Sequence, residues 1–300
     1  MSIGIITGGV EHKEFDSEVK HVYQGMQTLR QTVTTRHNVV GDVYNFRRMG
    51  SGIANQKAVQ SLVTPMNIDH ALIACNLTDW LAPEYTDIFS QATINFDEKV
   101  ELATTVGKAL GRRDDQMVID ALETAGATAG LSGVFPVNAD TAYFYDQSAE
   151  TDERFSLNTL TNIRTHYNKL EVFNEPIYCV IGAAGIKGLL DDTTVTSADY
   201  NNVRCLVNGE IDTFMGFKFK IIGVRNGEGG ITGEGSATDQ YAFFYTKSAI
   251  GMAIGIDIRT SIDWIPERTS WLVNGLLKAG AVSRENQAIA KVLYSTTNEA

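Results

Sequence analysis

The sequence predicts an α+β protein, and three observations carry that prediction. A helical pattern runs without a break from Phe96 to Ala125. A strict period-two pattern runs from Ile250 to Ile258. The elements between and before them do not alternate strand with helix, so a doubly wound parallel sheet is excluded. With 300 residues the chain can form one large domain or two medium ones around a sizeable core.

The first element is an amphipathic helix near the start of the chain. Phe15, Val19, Val22, Met26 and Leu29 recur at steps of four and three and form one apolar stripe. Glu11, Glu14, Asp16 and Glu18 suit the positive end of its dipole. The stripe precedes any core, so it needs a partner supplied later in the chain or by another chain. From Val33 to Ile88 the character is extended. Val39–Phe46 and His70–Cys75 read as strands around a polar tip, Arg47 to Thr64. A two-stranded hairpin is marginal alone, so a neighbour should support it.

The long helix follows. Asn95 can cap it, Glu98 completes a capping box, and Gly126 is a natural stop. At about 1.5 Å per residue it spans ~45 Å and should act as a spine for other elements. Gly107 and Gly111 lie inside it and allow close packing, a bend, or a break near Arg112. Beyond it, Leu157–Phe173 reads as a helix with Leu160, Ile163, Tyr167 and Leu170 on its stripe. Ile177–Gly182 reads as a buried strand, Ala183–Leu190 as a short helix, and Phe217–Ile221 as a half-exposed strand. Asn226–Ser236 is a glycine-rich loop. In Ile250–Ile258 the small residues share one face, which invites close approach by another backbone. Trp271–Leu277 and Gln287–Tyr294 read as further extended segments.

The residues offer little chemistry. The net charge of −11 disfavours tight nucleic-acid binding. The two Arg pairs, Arg47-Arg48 and Arg112-Arg113, read as solvated charge near acids. Cys75, Cys179 and Cys205 form no metal or redox spacing and read as buried hydrophobes. The glycine-rich loop lacks the lysine of a phosphate-binding loop, and Glu228 and Glu234 would repel phosphate. The five histidines stand at no metal-ligand spacing, and no serine-nucleophile elbow occurs. The paired acids Asp97-Glu98, Asp114-Asp115 and Asp191-Asp192 read as caps or solvated charge, because neighbours on a helix diverge. Asp114 and Asp115 could instead reach a neighbouring subunit's arginine. No apolar run approaches the roughly 20 residues of a membrane helix. The opening residues do not read as a secretory signal, so the protein is expected to stay where it is made.

Arm, projecting hairpin, long helix, mixed region and returning strands follow the order of the Hong Kong 97-type fold. Lys108–Asp115 (Lys-Ala-Leu-Gly-Arg-Arg-Asp-Asp) resembles the centre of that fold's spine helix. Asn208–Phe217 is similar to a glycine-flanked turn and strand frequent in phage capsid proteins. Tyr241–Ile258, Gly280-Ala281 and Tyr294 resemble the C-terminal segment of the same group. The chain thus resembles tailed-bacteriophage major capsid proteins, with encapsulin shells as the alternative and a nucleotide-binding enzyme as a distant third.

The resemblance implies five parts: an N-terminal arm (1–32), an extended hairpin or E-loop with its base (33–88), a peripheral domain with the spine helix (89–130), an axial domain (131–257), and a return to the peripheral domain (258–300). It implies a subunit of hexamers and pentamers that enclose double-stranded DNA without reading its sequence. No enzyme activity, cofactor, metal or membrane is implied. Copies of the chain, a scaffolding protein, a portal and optionally a cement protein are the implied partners. An acidic inner surface would leave packaged duplex mobile. The candidate contacts between subunits are Phe15, Val19, Val22, Met26, Arg47, Arg48, Lys57, Arg112, Arg113, Asp114 and Asp115. Some relatives crosslink a hairpin lysine to an asparagine of another subunit, and Lys57 is the candidate here.

Overall fold

A computed structural model describes residues 27–89, 97–125, 142–146, 154–172, 174–191, 213–223, 225, 231 and 239–296. The stripe from Phe15 to Met26, the Asn95 cap, Cys205, Asp192, Asn208–Asp212 and nearly all of the glycine-rich loop lie outside these residues.

Three short strands open the described chain: β1 (Thr34–Arg36), β2 (Val43–Met49) and β3 (His70–Asn76). β4 (Thr78–Asp87) and the long helix α1 (Glu98–Ala125) come next. α1 is continuous through Gly107 and Gly111, so neither glycine breaks it. The reason for Gly111 is close packing, since a Cβ there would stand 3.3 Å from Gln27. β5 (Tyr143–Asp146), α2 (Leu157–Lys169), β6 (Ile177–Ile181), α3 (Ala183–Asp191), β7 (Thr213–Phe214) and β8 (Phe217–Ile221) make the middle. β9 (Asp239–Thr246), β10 (Ile250–Ile265), β11 (Ser270–Ser283) and β12 (Ile289–Ser295) complete it.

The strands form three sheets. One has the order β1-β10-β11-β4, another β5-β12-β9-β6-β8-β7, and β2 pairs only with β3. α1 lies on the first sheet, and Gly275 of β11 makes room for it. A Cβ on Gly275 would overlap Val106 and stand 2.8 Å from Leu110. One hydrophobic cluster runs from α1 (Leu110, Val118, Leu122) through Leu277 to Phe243 and Tyr245 of the six-stranded sheet. Alternate residues of that sheet point to its other face. There Cys179, Phe217 and Phe244 join Leu160, Ile163 and Tyr167 of α2 and Leu189 of α3 in a second cluster.

Three readings need correction. The first hairpin strand shifts outward: Val39–Asp42 is irregular, while Arg47 and Arg48 belong to β2. The boundary at 257/258 falls inside β10, and β12 joins the six-stranded sheet between β5 and β9. Ile289, Ala290, Lys291 and Val292 are all buried, as a strand covered on both faces requires. α2 ends sooner than read, at Lys169, with Leu170 as its C-cap.

Candidate assembly surfaces

The β2–β3 ribbon carries the first surface. Its strands pair from Val43 opposite Asn76 to Met49 opposite His70. Two strands without a covering layer can bury little. Only the base is packed, where Phe46, Cys75, Leu77 and Ala253 form a small cluster. β10 receives this base on its small-residue face. A Cβ on Gly251 would stand 2.8 Å from the Phe46 ring, and one on Gly255 would stand 3.2 Å from the Val39 carbonyl. The approach inferred from the small residues is therefore made by an aromatic ring and by backbone. Arg48 is committed to the base through a 3.1 Å ion pair with Glu285. Lys278 pairs with Asp42 at 2.6 Å.

Beyond the base the ribbon is bare. Ile53, Val59, Leu62, Val63 and Met66 are exposed, Val59 and Leu62 at 94% each. The tip read as polar is therefore apolar in its large side chains. They were missed because only Leu62 and Val63 are adjacent, and the others stand apart among Ser, Asn and Gln with no strand or helix period. Arg47 and Lys57 are exposed beside them. A second apolar surface lies on the four-stranded sheet, where Leu81 and Tyr85 of β4 are exposed. Sequence pattern alone did not separate these from core positions.

The acid pair on α1 has a different role from the one the sequence suggested. Asp114 and Asp115 are fully buried and hold a segment of their own chain. Asp115 accepts the Thr28 N–H at 3.0 Å, the Leu29 N–H at 2.9 Å and an Arg225 N–H at 3.0 Å. Asp114 accepts from the Gln27 amide and, at 3.1 Å, from Arg30 Nε. Arg30 also donates to Asp257 of β10 at 2.7 Å. Leu29 and Val33 then enter the main core, and the Thr32 hydroxyl meets that of Tyr245 at 2.6 Å. Neither solvation nor a neighbour's arginine describes these acids, because the chain's own Arg30 and Arg225 occupy them. Burial pushes the Asp114 carboxyl above its ordinary range, and Arg30 offsets only part of that. Burial also works against the charge on Arg30, but Asp114 and Asp257 outweigh it and hold that pKa up.

The other candidates are placed as follows. Arg113 lies over the Trp80 ring at 3.6 Å, on the wall of a cavity of ≈ 300 Å³ between α1 and the ends of β4 and β11. Arg112 is half-buried and has a partner within the chain. His166 is buried, stacks on Tyr143 at 4.6 Å and meets the Gln287 carbonyl at 3.0 Å. Burial pushes its pKa down. Cys75 and Cys179 are buried free thiols. Among the described residues no His, Cys, Asp and Glu side chains gather as a metal site. Among them, too, no helix is long and apolar enough to cross a membrane.

The acid pair is spent on structure while an apolar ribbon stays exposed, and the fold is that of Hong Kong 97-like shell subunits. The capsid of cyanophage P-SCSP1u superimposes with a TM-score of 0.73 at 16% identity, over 95% of this chain and 93% of that one. The capsid protein of Ralstonia phage GP4 does so at 0.70 and 12% identity, over the whole of both chains. The capsid of the native GTA particle gives 0.68 at 15% identity, over 98% of each. No curated protein sequence matches. A sequence model of the family described as phage capsid protein covers residues 7–296, and the chain belongs to that family. It is a major capsid protein that forms the head shell of a virion.

Proposed function

We propose that the chain assembles as hexamers and pentamers on an icosahedral lattice around double-stranded DNA, and that its role is structural and not catalytic. The observation that carries this is the β2–β3 ribbon, which presents five large apolar side chains between Ile53 and Met66 to solvent. Exposed apolar area of that kind marks a protein-binding surface. The occupant that suits a shell subunit is a neighbouring copy, with Arg47 and Lys57 at the margin of the contact. The apolar stripe Phe15, Val19, Val22 and Met26 is a further contact on the same reading. A scaffolding protein, a portal and a cement protein are the partners such a shell would take. Lys57 is the candidate for a covalent link. A single monomer band from shells boiled in denaturant would remove that link from consideration.

Electron microscopy of the purified full chain, with and without a co-expressed scaffold, tests the assembly. Closed particles built from sixfold and fivefold rings are the expected result. A monomer that stays stable under every assembly condition would overturn it.

A further inference from the structure

Among the described residues, the distal half of β10 has one open edge. β11 pairs with β10 as far as Ile265 opposite Ser270. On the other side β1 covers only Gly251–Ala253, and the Val39 N–H reaches the Ile254 carbonyl. From Ile256 to Ile265 no described residue pairs with that edge. A free strand edge is a template for another strand, and soluble proteins usually blunt it with proline or lysine. This segment, Ile-Asp-Ile-Arg-Thr-Ser-Ile-Asp-Trp-Ile, has neither, and its charged residues, Asp257, Arg259 and Asp263, alternate in sign. The register irregularities of β10 end at Arg259, so Arg259–Ile265 is a regular strand. Ile262 and Trp264 are exposed on one face. Arg259 and Asp263 are exposed on the other, and neither has an ion-pair or hydrogen-bond partner among the described residues.

We propose that this edge pairs antiparallel with the same edge of a second copy, about a two-fold axis through Ser261. An isologous contact must be self-complementary, with residue i meeting j and j meeting i. The axis at Ser261 places each Arg259 opposite Asp263 of the other copy, so the contact holds two cross-strand ion pairs. Thr260 then faces Ile262, and the exposed apolar row is extended by its own mirror. Neighbouring registers fail. An axis at Thr260 puts Asp263 opposite Asp257, two acids. An axis at Ile262 puts Arg259 opposite Ile265 and leaves both charges unmatched. An axis at Ile258 would put Arg259 opposite Asp257, but Asp257 already accepts from Arg30 and the strand is irregular there, so the register at Ser261 is the one specified. The proposal rests on the shell reading, in which neighbouring rings meet across local two-fold axes.

Charge reversal in the full-length chain tests it. Arg259→Asp or Asp263→Arg alone brings like charges together twice at each axis, and particle yield should fall about tenfold or more. The double variant R259D/D263R restores the pairs and should return the yield to that of the wild type. In a Cys205→Ser background, Ser261→Cys should give a dimer band from oxidised shells on a non-reducing gel, absent from shells that keep Ser261, where Cys75 and Cys179 are buried. Single reversals that assemble like the wild type, with Ser261→Cys remaining monomeric, would overturn the pairing and leave the shell reading standing. The same holds if the single variants fail, the double does not rescue them, and Ser261→Cys gives no dimer. Failure of the wild-type chain to form shells would instead overturn the underlying reading.

Discussion

At the scale of single residues, Asp115 ties the Thr28–Leu29 segment and Arg225 to the long helix. Its carboxylate answers two backbone N–H groups and one guanidinium, all inside the protein. Removing one partner of a buried charge pair costs about 3–5 kcal/mol, because the other charge stays buried and unanswered. Asp115→Ala is expected to lose that much in urea unfolding. Asp120→Ala, which removes an exposed acid paired only with Gln116, should change stability by less than ~0.5 kcal/mol. The acids of this cluster respond to pH with opposite signs. Partial burial works to raise the Asp257 pKa, but Arg30 and the Ile258 N–H outweigh it and hold it below the ordinary value. Its contribution is therefore present above the unfolded value of about 3.9 and is lost as pH falls through the folded value. Asp114 is raised, so the stability it contributes is greatest when protonated and declines as pH rises through its folded value. Asp257→Asn should thus differ most from wild type at neutral pH. The gap should close only below about pH 4, as read from unfolding midpoints across a pH series. The acid pair stood in plain view in the sequence, yet its role did not. Adjacent helix residues point about 100° apart, which suggests that one of them meets solvent. Here the sheet covers one side of α1 and Gln27–Arg30 the other, so both are enclosed.

At the scale of elements, glycines decide how closely α1, β3, β4 and β11 approach one another. A Cβ on Gly280 would collide with the Asn76 backbone carbonyl, which sits between β3 and β4 and cannot swing aside. A Cβ on Gly107 would meet nothing within 4 Å. Gly280→Ala is therefore expected to destabilise by about 1–3 kcal/mol, as overpacking does. Gly107→Ala should stabilise by roughly 0.5–1 kcal/mol through helix propensity. Thermal unfolding of the two variants checks both signs. Most elements were legible because their periods are long and clean: α1, α2, β6 and the first half of β10 were all read near their observed places. What was not legible depended on partners distant in sequence. β10 continues to Ile265 because β11 pairs with it along its length, although the contrast of large and small side chains that marks its first half ends at Ile258. β12 alternates no differently from a strand of the other sheet, and only its position between β5 and β9 assigns it.

At the scale of the whole molecule, charge and apolar exposure oppose each other. Each copy carries a formal charge of −11, so copies repel and that repulsion must be overcome locally. The exposed apolar ribbon is one source of such attraction among the described residues. Fully burying one Val or Leu side chain is worth about 1.5–3 kcal/mol, and Leu62 and Val63 contribute nothing of that to their own fold while they remain exposed. On the proposed reading, that energy is held for a neighbour. Replacing both with aspartate removes that attraction and adds acid to an already acidic molecule. The double variant L62D/V63D is therefore expected to keep its unfolding midpoint, within the ~0.5 kcal/mol typical of surface changes, and to stay monomeric in sedimentation velocity where the wild type forms shells. A folded variant that assembles normally would show that the ribbon is not the contact that drives closure. A variant that unfolds would show that the tip supports its own subunit, contrary to its exposure. The two measurements together separate folding from association, which a shell subunit must keep apart until its neighbours arrive.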